Sequence, residues 1–282
     1  MQAAPTNRRR RRQSCDGASA ARAKRESHAV IPSEERDFWS EPLPSKKIVS
    51  IAENLAAIQK RMQSAARRAG RSPGEIALMA VTKTQPSERI REAYAGGQRL
   101  FGENRVQEFA DKVRAFSDLS DIEWHMIGHL QTNKAAKAIE LFRCVDSVDS
   151  VKLAQKLDAA GRDAGKKIEV LIEINVGAEA TKSGLDPASS ELEDLLILAP
   201  RLDALAIRGL MTVPPFTEDP EGARAYFRKL RQLRDLIAAR TPPAVAMDQL
   251  SMGMSHDFEV AIEEGSTCVR VGTAIFGARL KA

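Results

Sequence analysis

The chain has 282 residues, 43% hydrophobic and 29% charged, ordinary values for a folded globular protein. Its formal net charge of +5 sits entirely in residues 1–47, which hold 11 Lys and Arg against 6 Asp and Glu. The rest carries 32 of each sign, so specific nucleic-acid binding is not expected of it. No apolar run approaches the ~18 residues of a membrane span, and Cys15, Cys144 and Cys268 lack disulfide or metal-ligand spacing; a soluble protein of the reducing cytoplasm is predicted.

The first stretch, "MQAAPTNRRRRRQSCDGASAARAKRESHAV", is polar and poor in large apolar residues, so residues 1–47 are expected to form a disordered basic extension. Its arginine run is not followed by the apolar region of a secretory signal. The texture changes at Ile48. "IVSIAENLAAIQKRMQSAARRAG" has helical apolar spacing and stops at Gly70, a usual C-terminal signal.

Strands are then predicted at Ile76–Thr82, Arg99–Glu103, Glu123–Gly128, Cys144–Ser147, Glu169–Asn175, Ala206–Met211, Gln249–Met252 and Cys268–Gly272. Between them lie helical patterns at Ser87–Ala95, Val106–Phe116, Asn133–Leu141, Val151–Ala164, Ser189–Leu198, Pro220–Ala239 and His256–Glu263. Eight β/α units in ~235 residues predict a single (β/α)8 TIM barrel over residues 48–282, rather than a doubly wound sheet. Neither a dinucleotide fingerprint nor a Walker loop is present.

Sites in such barrels lie at the C-terminal strand ends. There stand Lys83, Glu103 and Asn104, His129, Asn175, Met211 and Thr212, the segment "SMGMS" at Ser251–Ser255, and "RVGT" at Arg270–Thr273. By strand alternation Lys83 shares a face with Val81 and Met79; it serves either as a nucleophilic amine or as an ion-pair partner. The last two loops, "LSMGMSHDFE" and "RVGTAIFG", are short and rich in Gly and hydroxyls, including Ser251, Ser255 and Thr273. They fit the phosphate cup of barrel enzymes, or two plain turns. On "CVRVG" the valines are expected to face the helices, leaving Arg270 inward. A buried guanidinium needs an acceptor, either Glu173 or an atom of a ligand. An amine, a phosphate cup and an arginine facing an acceptor together suit pyridoxal 5′-phosphate, PLP.

Eight segments, "AVTKTQP", "FGENRVQE", "WHMIGHLQTNK", "VDSVD", "KSGL", "GLMTVP", "LSMGMSHDFEVAIEEGST" and "VRVGTAIFGAR", resemble in order and spacing the pyridoxal phosphate homeostasis protein family. That family is similar to the N-terminal barrel of alanine racemase, and the likeness runs from about Ile48 to Arg279. The resemblance implies that Lys83 carries PLP as a Schiff base and that Arg270 faces the pyridine nitrogen. It further implies that Ser251, Gly272 and Thr273 take the phosphate and that Asn104 and Met252 line the same site. Arg105, Cys268 and His256 depart from the usual pattern without removing a cofactor ligand. His129 is read as a hydrogen-bonded rim residue rather than a general base, and Lys182 of "TKSGL" is the rival lysine.

Three functions were compatible with these residues: a PLP holder with little or no catalysis, a PLP-dependent racemase or decarboxylase, and a Schiff-base aldolase. Racemisation needs a proton donor on each face of the substrate. The only tyrosines, Tyr94 and Tyr226, fall in helical patterns, and no further domain is expected after the last strand. The expectation is therefore a monomeric, non-catalytic PLP carrier that hands the cofactor to PLP-dependent apo-enzymes. No metal and no catalytic residue are predicted.

Overall fold

The computed structural model describes residues 50–179, 181–240 and 245–277; the predicted disordered extension lies outside the described residues. Eight parallel strands close into a barrel in sequence order: β1 Ala77–Val81, β2 Leu100–Glu103, β3 Glu123–Met126, β4 Cys144–Val148, β5 Ile168–Glu173, β6 Leu205–Met211, β7 Gln249–Met254 and β8 Cys268–Val271. The closing pair runs from Ala77 opposite Cys268 to Ala80 opposite Val271.

Helices alternate with the strands: α2 Ser87–Ala95, α3 Val106–Lys112, α4 Ala135–Leu141, α5 Val151–Asp163, α6 Ser190–Leu198, α7 Arg224–Arg240 and α8 Phe258–Glu263. The pattern predicted over Val106–Phe116 divides, because α3 tightens into a 3-10 turn over Val113–Phe116. That turn carries Phe116 onto Trp124, 5.2 Å between ring centroids, while Phe109 meets the same indole at 4.5 Å. A last short helix, α9 Thr273–Phe276, follows β8.

Ahead of the barrel, α1 Ile51–Arg68 starts on a capping box: Ser50 Oγ accepts from Glu53 N–H, and the Glu53 carboxylate accepts from Ser50 N–H. Ile51, Leu55, Ile58 and Met62 form its buried stripe. At ~1.5–3 kcal/mol for each large apolar side chain buried, this stripe outweighs the exposed Arg61–Glu259 ion pair, a type of contact worth about 0–1 kcal/mol. Burial of this face, not surface charge, docks the helix.

Val269 and Val271 are fully buried among the helices, and Arg270 points into the barrel, as alternation requires. The interior is mixed rather than aliphatic. Cys144, Leu171 and Met211 form an apolar cluster, and Asp146, Ser251 and Arg270 are buried polar groups of the inward faces. Among the described residues no helix is long and apolar enough to cross a membrane.

Candidate cofactor site

A cavity of about 330 Å³ opens at the C-terminal mouth of the barrel, at the lower end of the ~300–1,000 Å³ typical of small-molecule sites. Lys83, Asn104, Arg270, Gly272 and Thr273 all line it, so five of the seven residues expected in the site come together.

Lys83 is aimed by the turn that ends β1. Gln85 N–H donates to the Thr82 carbonyl at 3.0 Å, closing a four-residue turn in which Thr84 holds φ at 62°. Positive φ is unfavourable for a β-branched residue, so the turn stores strain next to the lysine it presents. Beneath it, Thr82 Oγ1 donates to the fully buried Glu103, whose Oε1 lies 2.6 Å from Lys112 Nζ. Lys112 also donates to the Thr82 carbonyl at 3.2 Å. This buried cluster ties the β1 end to α3 and holds the turn in place.

Asn104 is set by a close approach of two loops. A Cβ on Gly128 would come within 2.3 Å of the Asn104 carbonyl oxygen, so only glycine lets the loop after β3 pass there. Asn104 Oδ1 is buried without a hydrogen-bond partner among the described residues, which marks it as an acceptor awaiting a donor.

Arg270 is 4% exposed. Its Nη1 donates to Ser251 Oγ and its Nη2 to the Thr212 carbonyl, both at 2.7 Å. Glu173, one of the two acceptors the sequence left open, accepts no hydrogen bond from it among the described residues; a hydroxyl and a carbonyl accept instead. Burial lowers the guanidinium's pKa, but the group remains charged.

Ser251 and Met252 do not line the cavity. Ser251 faces inward below Arg270, and Met252 is fully buried in the core. The cause is an irregularity in β7. Its register with β8 shifts between Ser251 and Met254, and Gly253 takes φ 96°, where an added Cβ would lie 2.5 Å from the Ala261 side chain. The bulge re-aims the strand end, so Met254, Ser255 and His256 reach the cavity instead. Ser255, one of the loop hydroxyls noted in the sequence, lines the cavity although the resemblance did not assign it. Its Oγ accepts from Gly272 N–H and Ala274 N–H, both at 3.3 Å. Two backbone amides thus converge on one hydroxyl oxygen at the edge of the cavity.

His256 Nε2 donates to the Glu218 carbonyl at 3.0 Å, and its ring lies 5.5 Å from that of Phe216 at the rim. His129 pairs with Asp149 at 2.9 Å away from this cavity. Lys182 is engaged by Glu179 and the Pro214 carbonyl and does not line the cavity either. Both tyrosines lie in helices, Tyr94 in α2 and Tyr226 in α7.

The profile of the family described as "Alanine racemase, N-terminal domain" matches residues 54–280. The pyridoxal phosphate homeostasis protein of Aquifex aeolicus is 46% identical over 231 residues, 82% of this chain and 99% of that protein. That of Escherichia coli K12 is 44% identical over 231 residues, 81% and 97% of the two chains. Among solved structures, PipY of Synechococcus elongatus with PLP bound superposes with a TM-score of 0.71 at 38% identity, covering 81% of this chain and all of that one. Alanine racemase from Streptomyces coelicolor shares the barrel alone, with a TM-score of 0.59 at 20% identity, covering 80% of this chain and 59% of that one. Matches of this length and identity place the chain in the alanine racemase N-terminal-domain family and, within it, among the pyridoxal phosphate homeostasis proteins.

Proposed function

We propose that this protein binds PLP at the C-terminal mouth of its barrel and serves PLP homeostasis by holding and passing on the cofactor, with little or no catalysis of its own. The observation that carries the reading is convergence: Lys83, Arg270, Ser255, Gly272 and Thr273 surround one cavity, and the Gly272 and Ala274 amides both point at Ser255 Oγ. Relatives named for PLP homeostasis, and a neighbour solved with PLP bound, support the same ligand.

The residues fit the cofactor chemically. Lys83 supplies the amine for the aldehyde. The Gly272 and Ala274 amides, with Ser255 and Thr273, suit the phosphate, and Asn104 Oδ1 offers an acceptor to a ring substituent. Bound PLP supplies an aldehyde that captures amines and a ring that withdraws electrons. Arg270 donates hydrogen bonds and stays positive, so it favours an unprotonated pyridine nitrogen and weakens that withdrawal.

The protein's own proton-moving groups are few at this cavity. Among the described lining residues there is no Tyr, Asp or Glu, and the Nε2 proton of His256 is engaged by a carbonyl. A racemase needs two facing acid–base groups. A monomeric holder that transfers PLP to apo-enzymes is the form of the function these residues favour.

Borohydride reduction of PLP-loaded protein, followed by peptide mapping, tests the site. The pyridoxyl label is expected on Lys83; a label on Lys182, or none, refutes the assignment. Transfer of PLP to an apo-enzyme is expected with negligible racemase turnover. Lys83-dependent turnover of common amino acids at ~1–10³ s⁻¹ would establish an enzyme instead.

A further inference from the structure

Below the cavity a line of buried polar groups crosses the barrel interior. Arg270 Nη1 donates to Ser251 Oγ at 2.7 Å, Ser251 Oγ lies 3.2 Å from Asp146 Oδ2, and Asp146 Oδ1 lies 2.9 Å from His125 Nδ1. None of the four is more than 9% exposed. They stand on β8, β7, β4 and β3, so rigid strands fix every link.

Chemistry fixes the direction of each bond. Arginine can only donate, so Ser251 must accept from it and commit its single proton to Asp146. An ionised Asp146 can only accept, so His125 must present Nδ1–H to it. The neutral ring is therefore held as one tautomer, with its lone pair on Nε2. Nε2 has no hydrogen-bond partner among the described residues. His125 lines a second cavity, of about 630 Å³, together with Ala77, Leu100, Gln249 and Cys268 at strand starts. This is the opposite, N-terminal mouth of the barrel. One end of the line meets the candidate cofactor cavity, and the other is a titratable ring reached from the far side.

We infer that His125 is a positioning residue for Arg270: its protonation, from the N-terminal mouth, sets through Asp146 and Ser251 how the guanidinium is held beneath the cofactor cavity. Only the last step, from Arg270 to PLP, rests on the proposed function.

His125 brings to the line an imidazole, the side chain whose ordinary pKa lies closest to neutrality. Burial works to lower its pKa, and the charge and hydrogen bond of Asp146, with Glu123 and Glu169 behind, more than offset this and raise it above 6.5. Arg71, Glu75 and Asp248 also border its cavity. The adjacent thiols stay protonated, since burial lifts Cys268 to about 12 and raises Cys144 well above its ordinary value. His125, Cys144 and Asp146 place donor atoms within 4.8 Å of one another, so a bound transition metal is the rival occupant of the ring.

The test follows the His125 ring protons by NMR from pH 5 to 9 in the whole protein, first without PLP. Three bonds in series put Arg270 roughly 10 Å from His125, where one unit charge moves a pKa by about one unit at an effective dielectric near 20. Arg270→Met should therefore raise the His125 pKa by about one unit. Ser251→Ala, which leaves Asp146 leaning on the imidazole, should raise it by less, and it decides the matter should Arg270→Met fail to fold. Loading with PLP should shift the wild-type value and shift that of Ser251→Ala by less. His125→Gln, which still donates to Asp146 but cannot titrate, should lose the part of the pH dependence of the PLP Kd that follows the wild-type His125 titration, and keep the part due to the amine, the phosphate and Glu173. Identical His125 titrations in wild type and both variants overturn the inference, as does stoichiometric zinc on a ring that does not titrate. Failure to load PLP at all would refute the proposed function alone, because the cofactor-free titrations still decide the line.

Discussion

Glu173→Gln should make the protein more stable at neutral and alkaline pH. Glu173 ends β5 inside the barrel, 8% exposed, with Oε2 unpartnered among the described residues. Burial pushes its carboxyl up from 4.5 to about 7; Asp149 adds to the rise, while Arg270 and His129 oppose it. Between those two values the folded chain holds a proton that the unfolded chain has released. Stability therefore falls as pH rises from 4.5 to 7 and levels off above. At 1.36 kcal/mol per pH unit, the ionised side chain costs roughly 3 kcal/mol at pH 8. Glutamine keeps the shape and removes the charge. Urea denaturation followed by Trp124 fluorescence should show wild type and variant nearly equal at pH 4.5, with the variant ahead by about 3 kcal/mol at pH 8. A difference independent of pH, or a variant weaker at pH 8, would refute the reasoning. It would mean that attraction to Arg270 outweighs desolvation and that Glu173 folds as an anion.

Other expectations follow from single contacts. Ser255→Ala removes the hydroxyl that accepts from the Gly272 and Ala274 amides, and PLP titration should show about a fivefold to tenfold weaker Kd, the value of one hydrogen bond of ~1–1.5 kcal/mol. Gly128→Ala forces a Cβ to within 2.3 Å of the Asn104 carbonyl; denaturation should show a loss of ~1–3 kcal/mol, with weaker PLP binding because Asn104 is displaced. A chain starting at Ser45 should melt at the same temperature and bind PLP equally, since the charge excess of residues 1–47 is self-contained; a large loss of either would assign that segment a role.

The barrel was legible because its signals are local. Short apolar runs alternating with amphipathic ones fix parallel strands and covering helices, and all eight strands form within one or two residues of their expected bounds. Parity on "CVRVG" turned Arg270 inward, and the lysine ending "AVTK" reached the cavity. Ser251 and Met252, which the resemblance implied for the site, do not line the cavity, because the register shift around Gly253 depends on how β7 meets β8 and leaves no reliable mark on β7 alone. Glu173 was a reasonable acceptor for Arg270 by face, yet Ser251 and the Thr212 carbonyl won by distance.

His125 and Asp146 drew no attention in the sequence. Each is a polar residue inside a predicted strand, and what makes them a unit is the packing of β3 beside β4 and the reach of Ser251 across the interior. Composition, alternation and motif order determined the fold, the family and the mouth where the site lies, since each depends on neighbours along the chain. Which hydroxyl meets the amides, what satisfies the buried guanidinium and which ring communicates with it were decided only by tertiary structure, because hydrogen bonds between strands depend on register and ångström-scale distance, which residue order alone does not specify.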